Sequence, residues 1–291
     1  MKKVKKAVFP VGGLGTRFLP ATKTMPKEML PIANKPIIQY AFEEAKRAGI
    51  EQFIFVTGRN KDAISNYFDH TYELESILNK KKKFKELRQV SQWLPTAGQV
   101  AFVRQRRPLG LGHAVWCARN FIGDEPFVVI LADEMLLDSG DFLKSMIDEY
   151  YQRGENSSII AINEVPEEQV SRYGIISAEP GSNKINDMVE KPEISQAPSN
   201  LAINGRYILH PEIFKYLEKF KEGTGGEIQL TDAMRTMAKS SDYPFYFKKY
   251  EGLRFDCGNV YGYLEANIAY ALQDKDLNSS DIISILKKYI R

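Results

Sequence analysis

The chain has 291 residues, 43% of them hydrophobic and 26% charged, enough to bury a sizeable core as one large domain or two. Its 40 Lys and Arg against 37 Asp and Glu leave a net charge of +3, too small a surplus for a nucleic-acid binder. Two cysteines imply no disulfide framework, and no run of about 18 apolar residues is available to span a membrane. The basic start, MKKVKK, is followed by too short an apolar stretch for a signal-peptide core, so the cytoplasm is the expected compartment.

Ala7–Val11 reads as a short buried strand that breaks into Gly12, Gly13 and Gly15. Pro36–Gly49 reads as an amphipathic helix with proline in its first turn and glycine at its stop. Gln52–Thr57 is a strand, completing a first βαβ unit. Asn60–Phe68 is a helix, and His70–Leu94, long and charged, reads as a helical insertion at the sheet edge. Gln99–Gln105 is a strand, with a helix expected from His113 to Phe121. Pro126–Ala132 is a near-continuous apolar run, as in a central parallel strand covered on both faces. Phe142–Arg153 is a helix and Ser158–Val165 a strand.

After Val165 the segments shorten. Strands are expected at Tyr173–Ala178, Lys184–Val189, Ala202–Leu209 and Pro244–Tyr250. Helices are expected at Pro211–Lys219, Leu230–Ser240, Val260–Gln273 and Ser280–Tyr289, the last capped by Ser279 or Ser280 with Asp281 in its first turn. The alternation predicts an α/β fold with a doubly wound, largely parallel sheet, whose ligands sit beyond the carboxyl ends of the strands.

Several chemical groups fall at those ends. Behind the glycines come Arg17, Lys23, Lys27 and Glu28. Backbone N–H groups and cations there can cradle a polyphosphate, although neither G-x-x-x-x-G-K-[ST] nor G-x-G-x-x-G is present. From the residues alone, a glycine turn with solvated cations reads as well. Asp133 follows the apolar run, and Asp256 lies in RFDCGN; each suits a hard cation or a plain turn. Gln105 and Gly110, in QRRPLGLGHAV, suit a flat base with adjacent carbonyl and N–H groups, or an ordinary loop entering a helix that His113 helps to start. Lys191 suits a phosphate, and Glu190 suits a pair of hydroxyls. Arg206 and Tyr207 read as a packed structural strand, and Thr231 and Asp232, in GEIQLTDA, carry no assigned role.

The loop GLGTRFLPATK with PKEMLP nine residues after Arg17, together with QRRPLGLGHAV, MVEKP and GEIQLTDA, and with Tyr173-Gly174 and Asn204-Gly205-Arg206-Tyr207 as stretches like its sugar pocket, resembles the sugar-1-phosphate nucleotidyltransferases from Val8 to Tyr263. One departure is Gly12, where that family usually has alanine. The resemblance implies a Rossmann-like nucleotidyltransferase domain over 1–291, with a nucleotide-binding portion at about 1–165, a sugar-binding portion at about 166–275 and a C-terminal helix at 276–291. Its narrower strings imply uridylyl transfer from UTP to glucose 1-phosphate, giving UDP-glucose and pyrophosphate. Arg17 and Lys27 would then be catalytic, and Gly12, Gly13, Leu14, Glu28, Gln105 and Gly110 would bind the nucleotide. Gly174, Glu190 and Lys191 would bind the sugar phosphate, with Asp133 and Asp256 holding Mg²⁺. A homo-oligomer, dimer or tetramer, is expected, with neither nucleic acid nor membrane as a partner. Two alternatives are a thymidylyl-transferring relative, whose loop also has GG-x-GTR, and a regulatory relative without catalysis. A Rossmann dehydrogenase is set aside because its glycine fingerprint is missing.

Overall fold

The computed structural model describes residues 2–137, 141–219 and 226–290. In chain order the first half contains β1 (Lys6–Val11), β2 (Pro31–Ile32), β3 (Lys35–Pro36), α1 (Ile37–Arg47), β4 (Gln52–Thr57), α2 (Asp62–Tyr67), α3 (Tyr72–Lys80), α4 (Phe84–Ser91), β5 (Val100–Arg104), α5 (Leu111–Cys117), α6 (Arg119–Ile122) and β6 (Phe127–Ile130). The second half contains β7 (Glu134–Leu137), α7 (Phe142–Arg153), β8 (Ser158–Glu164), β9 (Gly174–Ala178), β10 (Ile185–Glu190), β11 (Leu201–Leu209), α8 (Ile213–Lys219), α9 (Leu230–Ala238), β12 (Phe245–Lys249), β13 (Leu253–Asp256), α10 (Val260–Gln273) and α11 (Ser279–Lys287).

The central sheet runs β10-β9-β11-β6-β1-β4-β5, with β8 joined to β11 and β12 to β8. β6, β1, β4 and β5 are mutually parallel and form the doubly wound block. β6, β1 and β4 are apolar on both faces, as burial under helices on each side demands. Phe9, Phe53 and Phe55 enter the core packed against α1 and α7, while Val8, Ile54 and Val56 enter the core packed against α5, α8 and α9. β11 turns the sheet antiparallel: it pairs with β6 on one side and with β8 and β9 on the other. The α3–α4 insertion leads into β5, the strand at the edge of the parallel block.

Gln52–Thr57, Phe142–Arg153 and Val260–Gln273 stand where the residue pattern puts them. The cap of α11 is a correction. Asn278 Oδ1 accepts from Ser280 N at 3.0 Å, one residue before the expected serines, and Asp281 keeps its place in the first turn. Asparagine is as good an acceptor there as serine, and Asn278 already has extended backbone. The residue pattern also gives no warning of a two-stranded antiparallel ribbon, β7 with β13, lying apart from the main sheet.

Candidate active site

The parallel strands end in the loops that carry most of the singled-out residues. β1 ends at Val11, and Gly12 and Gly13 follow directly. Short 3-10 turns at Thr16–Phe18, Ala21–Lys23 and Lys27–Met29 then fold the loop back across the strand end. Thr22 Oγ1 donates to Gly15 O at 2.7 Å and closes this fold. Leu14 and Arg17 stay exposed, and Arg17 Nη1 reaches Gly258 O at 3.5 Å. The adjacent Lys27 and Glu28 part company. Lys27 Nζ meets Asp133 Oδ2 at 2.5 Å, while Glu28 turns inward and binds Lys61 Nζ at 2.8 Å in a buried pair.

β6 delivers Asp133, and the β7–β13 ribbon delivers Asp256. In the ribbon Asp256 lies opposite Glu134, and Cys257 N donates to Asp133 O at 2.7 Å. The two aspartates thus come together although 123 positions separate them in the numbering (256 − 133). Gly258 completes the arrangement. A Cβ on it would lie 2.9 Å from Asp256 Oδ1, 3.1 Å from Asp133 Oδ2 and 3.6 Å from Arg17 Nη1. Both carboxylates and the guanidinium therefore face one small space that any side chain at 258 would fill. Asp256 Oδ1 accepts from Gly258 N at 2.9 Å, and Oδ2 lies 3.4 Å from Arg172 Nη2.

The charges there are strongly coupled. Burial works against the Lys27 ammonium, but Asp133, Glu28 and Asp256 outweigh it and raise its pKa above the lysine range. Burial likewise works against the Asp133 carboxylate, yet Lys27 holds its pKa below the usual carboxylate range. Glu28 moves the other way: burial pushes its carboxyl up, against the pull of Lys61 and Lys27. No group of three or more His, Cys, Asp or Glu is placed to hold a metal among the described residues. Two carboxylates facing one space still suit Mg²⁺, a hard ion usually held by one or two carboxylates together with waters and substrate phosphate oxygens.

At the end of β5, Gln105 is buried. Its Nε2 donates to Gly110 O at 3.1 Å and to His113 Nδ1 at 3.0 Å. Burial, then Arg119, keeps His113 below the ordinary histidine range, so the neutral ring accepts at Nδ1. With both N–H directions committed, Gln105 turns its Oε1 towards Gly12, 3.0 Å from where a Cβ there would stand. Gly110 has φ +98°, and a Cβ on it would lie 2.7 Å from Glu227 Cβ and 2.8 Å from Ile228 O. The loop is sewn to 227–229: Gly112 N donates to Ile228 O at 2.8 Å, and Ile228 N donates to Leu109 O at 2.7 Å.

Gly174, Glu190 and Lys191 meet through the β9–β10 pair, in which Glu190 lies opposite Gly174. Lys191 N donates to Tyr173 O at 3.0 Å, and Lys191 Nζ lies 3.3 Å from Glu190 Oε1. Thr231 Oγ1 donates to Glu190 Oε2 at 2.7 Å, a role its sequence context did not reveal. A Cβ on Gly174 would lie 3.2 Å from both Glu190 Oε2 and Thr231 Oγ1, so the glycine leaves that corner open. Tyr173 carries Arg254 4.4 Å over its ring, and Arg254 in turn grips Glu134 at 2.8 Å, next to Asp133. Sequence reasoning also missed Lys61, Arg172 and Arg254. Each is an ordinary surface cation in its own string and gains a role only through distant partners.

The site so built has a glycine loop followed by cations, two convergent aspartates, a tethered amide and a Glu-Lys pair on the neighbouring strands. This is the arrangement of an enzyme that moves a nucleotidyl group, and the chain belongs to the nucleotidyl transferase family, whose model matches residues 6–273. Among curated relatives, the UTP–glucose-1-phosphate uridylyltransferase of Bacillus subtilis (strain 168) is 50% identical over 280 residues, 95% of this chain and 94% of the relative. The protein of the same name from Staphylococcus epidermidis (strain ATCC 35984) is 48% identical over 291 residues, 99% of both chains. Among solved structures, UDP-glucose pyrophosphorylase from Acinetobacter baumannii superposes with a TM-score of 0.87 at 41% identity, covering 99% of this chain and 100% of that one. A UDP-glucose pyrophosphorylase complexed with UDP-glucose gives 0.80 at 47% identity, covering 93% and 100%.

Proposed function

We propose that the chain is a UTP–glucose-1-phosphate uridylyltransferase: UTP and glucose 1-phosphate give UDP-glucose and pyrophosphate. The convergence of Lys27, Asp133, Asp256 and Arg17 on the space above Gly258 carries this reading. The phosphate of glucose 1-phosphate is already ionised near neutral pH, so its attack on the α-phosphorus needs no general base. The barrier is repulsion between two anions and the charge that builds on the departing pyrophosphate, so catalysis is positioning and charge stabilisation. Arg17 and Lys27 stabilise the β and γ phosphates as they leave. Lys191 holds the attacking phosphate, and Glu190, oriented by Thr231, takes the sugar hydroxyls with the backbone of Gly174. Gly12, Gly13 and Leu14 approach the nucleotide by main chain, and Gln105 offers its Oε1 to the base N–H. Gly110 keeps that wall flat, and Glu28, fixed by Lys61, lies below the nucleoside.

Asp133 and Asp256 would hold a Mg²⁺ ion, which supplies neutralisation of the phosphate oxygens brought together there. Residues 1–165 form the nucleotide portion and 166–275 the sugar portion of one domain, with Asp256 reaching from the second into the first. A homo-oligomer belongs to the same reading: Val260, Leu264 and Ile268 share one face of α10 and are exposed. A nucleoside triphosphate substrate supports a cytoplasmic location within this reading. Among the described residues no helix is long and apolar enough to cross a membrane.

The test is pyrophosphate release with glucose 1-phosphate and Mg²⁺, with UTP, dTTP, CTP, ATP and GTP in separate wells and an EDTA control. Release with UTP alone, abolished by EDTA, is expected. Equal or better turnover with dTTP would make it a thymidylyltransferase. Silence in every well from folded protein would return it to the regulatory class.

A further inference from the structure

We propose that Arg206, with Glu44 and Gly205, is a positioning device for Asp133, acting through the main chain of the turn that carries it. The proposal rests on the reading of Asp133 as a metal ligand.

Arg206 lies on β11 and is almost fully buried. Its guanidinium is used on both edges. On one, Nε and Nη2 donate to Glu44 Oε1 and Oε2 at 3.1 and 2.7 Å. On the other, Nη1 donates to Leu131 O at 3.3 Å and also to Glu134 O. Those two carbonyls bracket Ala132-Asp133. Glu44 sits on the buried face of α1 and pairs there with Arg206.

Apolar residues of the same volume often replace a buried ion pair without loss of stability, so stability alone is weak grounds for this one. The geometry supplies another. Only a planar fork can hold a carboxylate on one edge and two carbonyls on the next. The backbone is shaped to the same end. β11 changes register against β8 between Ile203 and Tyr207, a bulge of the kind that re-aims residues beside active sites. Within it Gly205 takes φ +78°, and a Cβ there would lie 3.0 Å from both Glu134 Cγ and Leu131 Cβ. Gly205 O accepts from Leu131 N at 2.9 Å. The bulge and the guanidinium therefore grip residues 131–134 from one side. Lys27 and Cys257 hold Asp133 from the other.

The experiment is Mn²⁺ titration of the substrate-free protein, followed by electron paramagnetic resonance, alongside kinetics and thermal melting. Arg206→Lys keeps the charge but loses the fork. Groups that orient a metal ligand typically contribute about 10- to 100-fold in metal affinity. Arg206→Lys is therefore expected to weaken Mn²⁺ binding about tenfold and to raise the Mg²⁺ requirement for activity in step, with KM for glucose 1-phosphate moving less than about twofold. Gly205→Ala, which leaves both charges in place and presses on the turn, is expected to do the same and decides the matter if Arg206→Lys does not fold. Folded variants that bind Mn²⁺ within about twofold of the wild type would overturn the proposal. Asp133→Asn is the control. If it binds Mn²⁺ like the wild type, the metal reading fails and the positioning device fails with it. If it loses Mn²⁺ while Arg206→Lys and Gly205→Ala do not, only the device fails.

Discussion

The two ends of the cleft are built by different means. At the ends of the parallel strands the candidate surface is mainly backbone: Gly12 and Gly13 after β1, Gly110 before α5, and a Gln105 whose amide is tied down on its nitrogen side. On the antiparallel side it is made of side chains that hold one another: Thr231 on Glu190, Lys191 beside Glu190, Arg254 on both Tyr173 and Glu134. A backbone surface is sensitive to added atoms, and a side-chain network to missing ones. Asp133 and Lys27 stand where the two meet.

That junction should show the largest effect. Lys27→Ala removes the cation paired with Asp133 at 2.5 Å and, in the proposed reaction, the charge awaiting the leaving phosphates. Loss of one such group costs about 10²–10³ in rate. The fall should be in kcat under saturating UTP and glucose 1-phosphate. A near-native kcat would take Lys27 out of the mechanism and leave it as a structural partner of Asp133.

Gly110→Ala tests the backbone half. Its φ of +98° disfavours any side chain, and the new methyl would press on Glu227 Cβ and Ile228 O. Such a strained position costs on the order of 1–3 kcal/mol. A lower melting temperature and a KM for UTP raised about tenfold are expected, with KM for glucose 1-phosphate little changed. Equal rises in both constants would mean that the loop serves the whole fold rather than the base.

The same division explains what could be read from the residues. The glycine loop, the apolar run before Asp133 and the strand before Gln105 are local strings, and their positions at strand ends follow from alternation alone. The partnerships are not local. Asp133 and Asp256 meet only because β7 and β13 pair off the main sheet, and nothing local in either four-residue strand announces that pairing. Thr231 is an ordinary first-turn residue of α9 until β10 brings Glu190 beside it. Arg206 shares a strand face with Ala202, Asn204 and Ile208 in LAINGRYIL, so strand periodicity marks neither the burial of its charge nor its partner on α1. Glu28, next to Lys27 in the chain, shows the limit most simply. A 3-10 turn points the two side chains in different directions, and only the fold determines which of them faces the cleft.

Thr231→Val probes the side-chain half with almost no change in volume. It removes the hydroxyl that donates to Glu190 Oε2 at 2.7 Å. A hydrogen bond to a charged group contributes about 1.5–3 kcal/mol, so KM for glucose 1-phosphate should rise about tenfold. KM for UTP should hold. An effect on UTP alone would break the division between the two ends.

The smallest expected effect lies at Gly12, where this chain departs from the alanine usual in the family it resembles. A methyl there would stand 3.0 Å from Gln105 Oε1, 3.4 Å from Gly58 N and 3.5 Å from Thr57 C. The last two contacts are tolerable. The first requires the amide oxygen to retreat by a few tenths of an ångström, and Nε2 is tethered to Gly110 O and His113, so the retreat is short. Mild overpacking of this sort should raise KM for UTP about threefold and leave kcat unchanged. His113→Ala, by cutting one tether, should restore the KM of the Gly12→Ala variant towards that of the wild type, because the amide can then rotate away. If KM for UTP falls instead, the added methyl packs against the base, and Gly12 marks a looser base pocket than the alanine would give.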